Sequence, residues 1–95
     1  MAAYLIVDLD VKNPAGYDDY RREVPATLAK YGGRFVVRGG AVELLEGVWN
    51  PKRVVVLEFP SMDALKRWYH SDDYKPLIAL RQKHSTDNLI AVEGV

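Results

Sequence analysis

Apolar and polar residues alternate over the first segment of the chain, and this period of two predicts a β-strand at residues 4–11. The next apolar residues recur at helical spacing and are Tyr17, Tyr20, Val24, Leu28 and Tyr31. Asn13 and Pro14 precede them as the expected N-cap and first helical residue. Because Pro25 lies inside the helical pattern, we expect a kink or a break near Val24.

Later segments of the chain show the same strand and helix periodicities. Strands are predicted at 34–38, 53–59 and 86–93, with 41–45 as a short edge continuation of the second strand. Ser61 is the expected N-cap of one helix, and Ser71 or Asp72 begins a shorter helical segment.

The resulting order, β-α-β-β-α-β, is that of a ferredoxin-like α+β fold. We expect a single domain over residues 1–95, with an antiparallel-type mixed sheet in the order 4-1-3-2. The two main helices cover one sheet face, and the first and third strands are expected to be parallel.

The uncovered sheet face retains much apolar surface. Its predicted members include Tyr4, Ile6, Val36, Val54 and Val56. An exposed apolar face of this size indicates a partner surface, and the same face of a second copy is the simplest cover. The pattern therefore predicts a homodimer.

Composition narrows the functional classes. Thirteen basic and thirteen acidic residues cancel, so nucleic-acid binding is not expected. The absence of cysteine excludes disulfides and a thiolate nucleophile, and it fits a reducing cytoplasm. The opening MAAYLIVDLDV has no features of a signal peptide, and no apolar run reaches the ~20 residues of a membrane span, so we expect a cytoplasmic protein without membrane contact.

Three charges fall on the uncovered face and form the first candidate site. Asp8, Glu58 and Arg38 are expected on neighbouring strands, where a buried carboxylate pair would raise one pKa and Arg38 would hold an anion. Such a site suits proton abstraction or isomerisation, with Tyr69 or Tyr4 as a hydrogen-bond donor. The alternative is a charge-balanced network inside a dimer interface.

Aromatic residues form the second candidate site. Tyr17, Tyr20, Tyr31, Trp68 and Tyr69 are predicted on the helices, where they either line a pocket against the sheet or simply form the core, which we favour. Trp49, Arg53, Trp68 and Tyr4 are the candidate ligand-binding residues. His70 and His84 have no metal-ligand spacing, and the glycine pairs make no phosphate loop, so no metal or cofactor is expected.

A set of short motifs runs from Tyr31 to Arg81. They are YGGRF, VRGG, LEG followed by Trp49, EFPS, WY before Ser71 with Tyr74, and the final LR. In combination they make the chain resemble a small bacterial domain-of-unknown-function family within the dimeric α+β barrel superfamily. The resemblance implies the fold and a dimer but no reaction. Three hypotheses follow: a cofactor-free enzyme of isomerase or monooxygenase type acting on a small anionic or aromatic metabolite, a non-catalytic small-molecule-binding dimer, or a purely structural dimer.

Overall fold

The structure is a computed structural model that describes residues 1–95. Its strands are β1 (Ala3–Val11), β2 (Arg34–Arg38), β3 (Arg53–Phe59) and β4 (Ser85–Glu93), and its helices are α1 (Pro14–Ala29), α2 (Met62–Tyr69) and α3 (Lys75–His84). The predicted α+β order is confirmed, with α2 and α3 dividing the second helical region. No helix is long and apolar enough to cross a bilayer.

The four strands form one sheet in the order β2-β3-β1-β4. This order is the predicted one, but β1 and β3 are antiparallel, so the expectation of a parallel pair was wrong. The reason is the connectivity: α1 returns the chain so that β2 runs in the direction of β1, and the reversal between β2 and β3 then opposes β3 to β1. All neighbouring strands are therefore antiparallel.

The core lies between the helices and one face of the sheet. Leu5, Val7 and Leu9 of β1 are buried there against Leu57 and Phe59 of β3. Trp68 of α2 is fully buried, with its ring centroid 5.3 Å from that of Phe59 and 3.9 Å from that of Tyr74. Aromatic pairs at such distances add to the burial of their apolar area, which fixes α2 and α3 on the sheet.

The helix boundaries follow local chemistry. The Asn13 side chain accepts a hydrogen bond from the Gly16 amide at the start of α1, and Ser61 accepts one from the Ala64 amide at the start of α2. Helix α1 continues through Pro25 as a single helix, so of the expected kink or break near Val24 the break is absent.

The segment from Gly39 to Lys52 forms no strand, and the predicted edge strand at 41–45 is absent. It holds several exposed apolar residues, among them Leu45, Val48 and Trp49. The sheet face away from the helices, here called the open face, also exposes Val36, Ile90 and Val92. Exposed apolar surface of this kind supports the predicted dimer, which remains a prediction.

Candidate functional site

A β-bulge in β2 determines which face carries Arg38. Phe35 pairs with Leu57, Val37 pairs with Val56, and Arg38 pairs with Val55, which leaves Val36 without a partner. Leu57 and Val55 face the helices, so their partners Phe35 and Arg38 face the helices too. In a regular strand, residues three positions apart would point to opposite faces. The expectation that Arg38 lies on the open face was therefore wrong.

The Arg38 side chain reaches α1 at a carbonyl that Pro25 leaves free. Proline has no amide hydrogen, so Pro25 cannot donate the helical bond to Arg21, four residues earlier. Arg38 Nη2 donates instead to the Arg21 carbonyl oxygen at 3.3 Å, and its Cζ lies 4.1 Å from the centre of the Phe35 ring. These contacts hold a cation at the edge between α1 and the sheet.

Arg53, the first residue of β3, lies beside Arg38 and depends on Gly39 for space. A Cβ built on Gly39 would overlap the Arg53 guanidinium, and Gly39 has φ of 72°, a conformation that favours glycine. The Arg53 Cζ lies 5.9 Å from the centre of the Tyr17 ring. The VRGG motif thus has a physical role, since it supplies one arginine and makes room for another.

These arginines surround an opening between α1 and the sheet, here called the mouth. The mouth has a volume of about 430 Å³ and is lined by Arg21, Arg22, Pro25, Arg38 and Arg53. Arg21 and Arg22 have carboxylate neighbours on α1, at Asp18 and Asp19. Arg38 and Arg53 form no salt bridge, although the chain as a whole has no net charge. The mouth therefore concentrates uncompensated positive charge.

Beneath the mouth is a small, mostly apolar space, here called the inner cavity, of about 30 Å³. It shares Arg21, Arg38 and Arg53 with the mouth and extends down to Tyr20 and Arg81. That volume is enough for one water molecule or one small terminal group of a ligand. No carboxylate lines either space.

The deep end of the inner cavity is polar. Asp87 accepts a hydrogen bond from Arg81 Nη1 at 2.6 Å, and both side chains are only 3% exposed. The Tyr20 and Tyr74 hydroxyls are hydrogen-bonded at 2.7 Å. Burial raises the pKa of both tyrosines, and the neighbouring Arg81 charge opposes that rise, so the two hydroxyls are neutral at physiological pH.

Two buried arginine nitrogens have no hydrogen-bond partner, Nε of Arg53 and Nε of Arg81. Both residues line the inner cavity. An unpaired buried donor is costly, and unpaired donors that border one space indicate that the space receives a group that accepts hydrogen bonds.

The first candidate site, made of Asp8, Glu58 and Arg38, is not assembled. Glu58 pairs across the sheet with Tyr4, four residues from Asp8, which separates the two carboxylates by roughly 13 Å. Glu58 instead accepts hydrogen bonds from the Tyr4 hydroxyl and Arg34 Nε, both at 2.8 Å. These bonds lower the pKa of Glu58, contrary to the raised pKa that we expected of a carboxylate pair.

Asp8 lies elsewhere on the open face, where it accepts a hydrogen bond from the Trp49 indole nitrogen at 3.0 Å. The remaining candidates belong to the helical layer. Trp68 is a core residue that donates to Thr27 Oγ1 at 2.9 Å, and half-buried Tyr69 packs against Trp68 and Tyr74. The candidates thus occupy separate places, and of them only Arg38 and Arg53 line the α1 mouth.

Of the aromatic residues in the second candidate site, Tyr17 and Tyr20 are buried in the core and also line the inner cavity, whereas Arg21 and Arg22 were missed. Both arginines face solvent on an amphipathic helix, where charge is ordinary. The usable signal was Pro25, because a proline within a helical pattern frees the carbonyl four residues before it.

The fold and its antiparallel sheet are those of ferredoxin-like α+β proteins, a class that includes antibiotic biosynthesis monooxygenases. The chain belongs to the family described as "Domain of unknown function (DUF1330)", whose model matches residues 2–95. No curated protein matches the chain.

Solved structures share the fold at low sequence identity. A protein of unknown function from Rhodopseudomonas palustris is 18% identical, with a TM-score of 0.78 over 99% of this chain and 82% of the other. A cofactor-independent oxygenase from Streptomyces nogalater is 16% identical, with a TM-score of 0.67 over 99% and 93%. A putative antibiotic biosynthesis monooxygenase from Caulobacter crescentus is 20% identical, with a TM-score of 0.61 over 99% and 90%.

Proposed function

We propose that the chain is a small cytoplasmic homodimeric enzyme that needs no cofactor and acts on a small organic anion with an aromatic or enolisable body. The observation that carries the proposal is the pair of arginines without salt bridges, Arg38 and Arg53, above a largely apolar cavity. Guanidinium groups bind carboxylates with directional, charge-assisted hydrogen bonds, and apolar walls accept the rest of a flat ligand.

The reaction class is proposed as oxygenation or isomerisation through a stabilised anion of the substrate. In a cofactor-free monooxygenation the substrate itself supplies the electrons, for example when a methylene group and O₂ give a carbonyl group and water. The step requires a site that stabilises negative charge on the substrate, and the mouth and inner cavity present positive charge and hydrogen-bond donors. The likeness to a cofactor-independent oxygenase supports this form of the proposal.

The proton-moving role that we predicted for Glu58 or Asp8 is not part of this proposal. Both lie on the open face, and Glu58 is held ionised by Tyr4 and Arg34. The open face is proposed instead as the contact between two copies, where the Glu58 charge is already paired with Arg34 and Asp8 already accepts a hydrogen bond from Trp49.

Binding is tested by isothermal titration with benzoate. We expect Arg38→Gln and Arg53→Gln each to weaken benzoate binding at least about tenfold, the worth of one lost charge-assisted hydrogen bond. Arg67→Gln is the matched control, because Arg67 lies on α2 and pairs with Asp63 at the surface. Equal affinity in all variants would contradict the site.

Turnover is tested separately with an oxygen electrode and a panel of phenolic and enolisable carboxylates. Oxygen uptake that disappears in Arg53→Gln supports the enzyme. Benzoate binding without turnover of any panel member would favour the alternative, a non-catalytic small-molecule-binding dimer. Native mass spectrometry checks the homodimer, and a monomer at micromolar concentration would contradict that part of the proposal.

A further inference from the structure

We infer that Tyr20 is a hydrogen-bond donor to an oxygen atom of the ligand, and that Tyr74 and Arg81 orient its hydroxyl toward the inner cavity. The inference rests on the proposed function, since it concerns a ligand whose anionic group lies in the mouth. It assigns the ligand a second oxygen, a phenol or enol, at the deep end.

The chemistry of arginine restricts the directions in which these hydroxyls can bond. A guanidinium can only donate, so the Tyr74 hydroxyl beside Arg81 presents its oxygen to the charge. The Tyr74 and Tyr20 hydroxyl oxygens are 2.7 Å apart and either can donate, so Tyr74 can turn its proton to Tyr20 when a ligand oxygen takes the Tyr20 proton. In that arrangement Tyr20 accepts from Tyr74 and donates its own proton to the ligand.

The structure offers no protein acceptor for that proton, because the Tyr20 hydroxyl bonds to no group other than Tyr74. Tyr20 and Arg81 both line the inner cavity, and Nε of Arg81 is also a buried donor without a partner. The side chain of Arg81 is 97% buried, as its 3% exposure shows, so bulk water does not satisfy this nitrogen.

The size of the inner cavity limits what the acceptor can be. About 30 Å³ admits one oxygen-bearing terminal group but not an aromatic ring. The ring must therefore lie in the mouth, among Arg38 and Arg53, with its oxygen directed inward. The polar side chains that line the inner cavity are tyrosines and arginines and include no carboxylate, so an oxygen placed there is stabilised as an anion, which lowers the pKa of a bound phenol.

The test compares benzoate with 4-hydroxybenzoate by titration, and uses 4-hydroxy-3-nitrobenzoate as a coloured probe whose absorbance reports phenol ionisation. Wild-type protein should bind 4-hydroxybenzoate about 3- to 10-fold more tightly than benzoate, the worth of one hydrogen bond. It should also ionise the bound nitro probe at lower pH than free probe.

Variants separate the roles. Tyr20→Phe should abolish the preference for the hydroxyl and move the pKa of the bound probe back toward its free value, while benzoate binds as before. Tyr74→Phe should weaken the preference in part, because Tyr20 keeps its hydroxyl but loses the oriented bond. Tyr31→Phe is the matched control: Tyr31 lines neither the mouth nor the inner cavity, and its hydroxyl bonds to nothing in the structure, so both readouts should stay at wild-type values.

An unchanged hydroxyl preference in Tyr20→Phe, or its loss in Tyr31→Phe instead, would overturn the inference. So would a wild-type protein that binds both acids equally, which would mean that a water molecule alone fills the inner cavity. If wild-type protein binds neither acid, the proposed function itself fails. The benzoate titration distinguishes this result, because benzoate still binds wild-type protein when only the inference about Tyr20 is wrong.

Discussion

Replacement of Gly39 by alanine tests whether the glycine positions Arg53. A residue with a Cβ at φ of 72° incurs a strain of roughly 1–2 kcal/mol. The new methyl group also overlaps the Arg53 guanidinium, which must leave its place near Tyr17 and lose a cation–π contact of about 0.5–1 kcal/mol. We expect a total loss of about 2 kcal/mol in the free energy of unfolding.

Two other glycines separate the causes of that loss. Gly47 has φ of 88° and no atom within 4 Å of an added Cβ, so Gly47→Ala introduces the strain without the overlap. Gly40 has neither a positive φ nor such a neighbour, so Gly40→Ala should change stability by no more than about 0.5 kcal/mol.

The assay is urea unfolding followed by tryptophan fluorescence, together with benzoate titration of each folded variant. Gly39→Ala should be the least stable of the three and the only one to lose benzoate affinity, by about 10-fold or more. If Gly39→Ala is no less stable than Gly47→Ala and binds benzoate like wild type, the crowding argument for Arg53 is refuted.

Other features of the structure give three further predictions. The raised pKa values of Tyr20 and Tyr74 mean that these hydroxyls ionise more readily in the unfolded chain, so stability should be full below about pH 10 and fall above it. Each such group changes the free energy of unfolding by up to about 1.4 kcal/mol per pH unit. The urea midpoint, measured from pH 8 to 11, should therefore fall less steeply with pH in Tyr20→Phe than in wild type. Asp87→Asn leaves the buried Arg81 charge unpaired and should lower the free energy of unfolding in urea by about 3–5 kcal/mol. The double replacement Arg81→Met with Asp87→Leu should restore most of that loss, and an equal loss in the single and double variants would contradict the pairing argument. Pro25→Ala restores an amide donor to the Arg21 carbonyl, so the thermal midpoint of unfolding should rise. The same carbonyl then no longer holds Arg38, so benzoate binding should weaken several-fold, and unchanged binding would show that Arg38 does not need that carbonyl.

Much of the fold could be predicted because the hydrophobic periodicity and the glycine and proline residues indicate the same element boundaries. The bounds of β2 and β3 match their predicted ranges, since each strand is flanked by glycine or proline. The error in β2 concerned which sheet face each side chain occupies. Val36 and Val37 are both apolar, so the sequence does not show which of them is left out of the pairing. The site could not be predicted for the same reason, because its geometry depends on that pairing and on the direction of β3 relative to β1.

The bulge in β2 also affects how the family can change over time. If the bulge were lost and Val36 paired with Val56, Arg38 would move from the helix side of the sheet to the open face, whereas removal of Val36 alone would leave Arg38 paired with Val55 as it is now. A change of pairing in this strand at constant length would therefore transfer a positive charge from the proposed ligand site to the proposed contact with a second copy. Relatives in which β2 pairs without a bulge should differ in ligand preference more than relatives that keep the bulge.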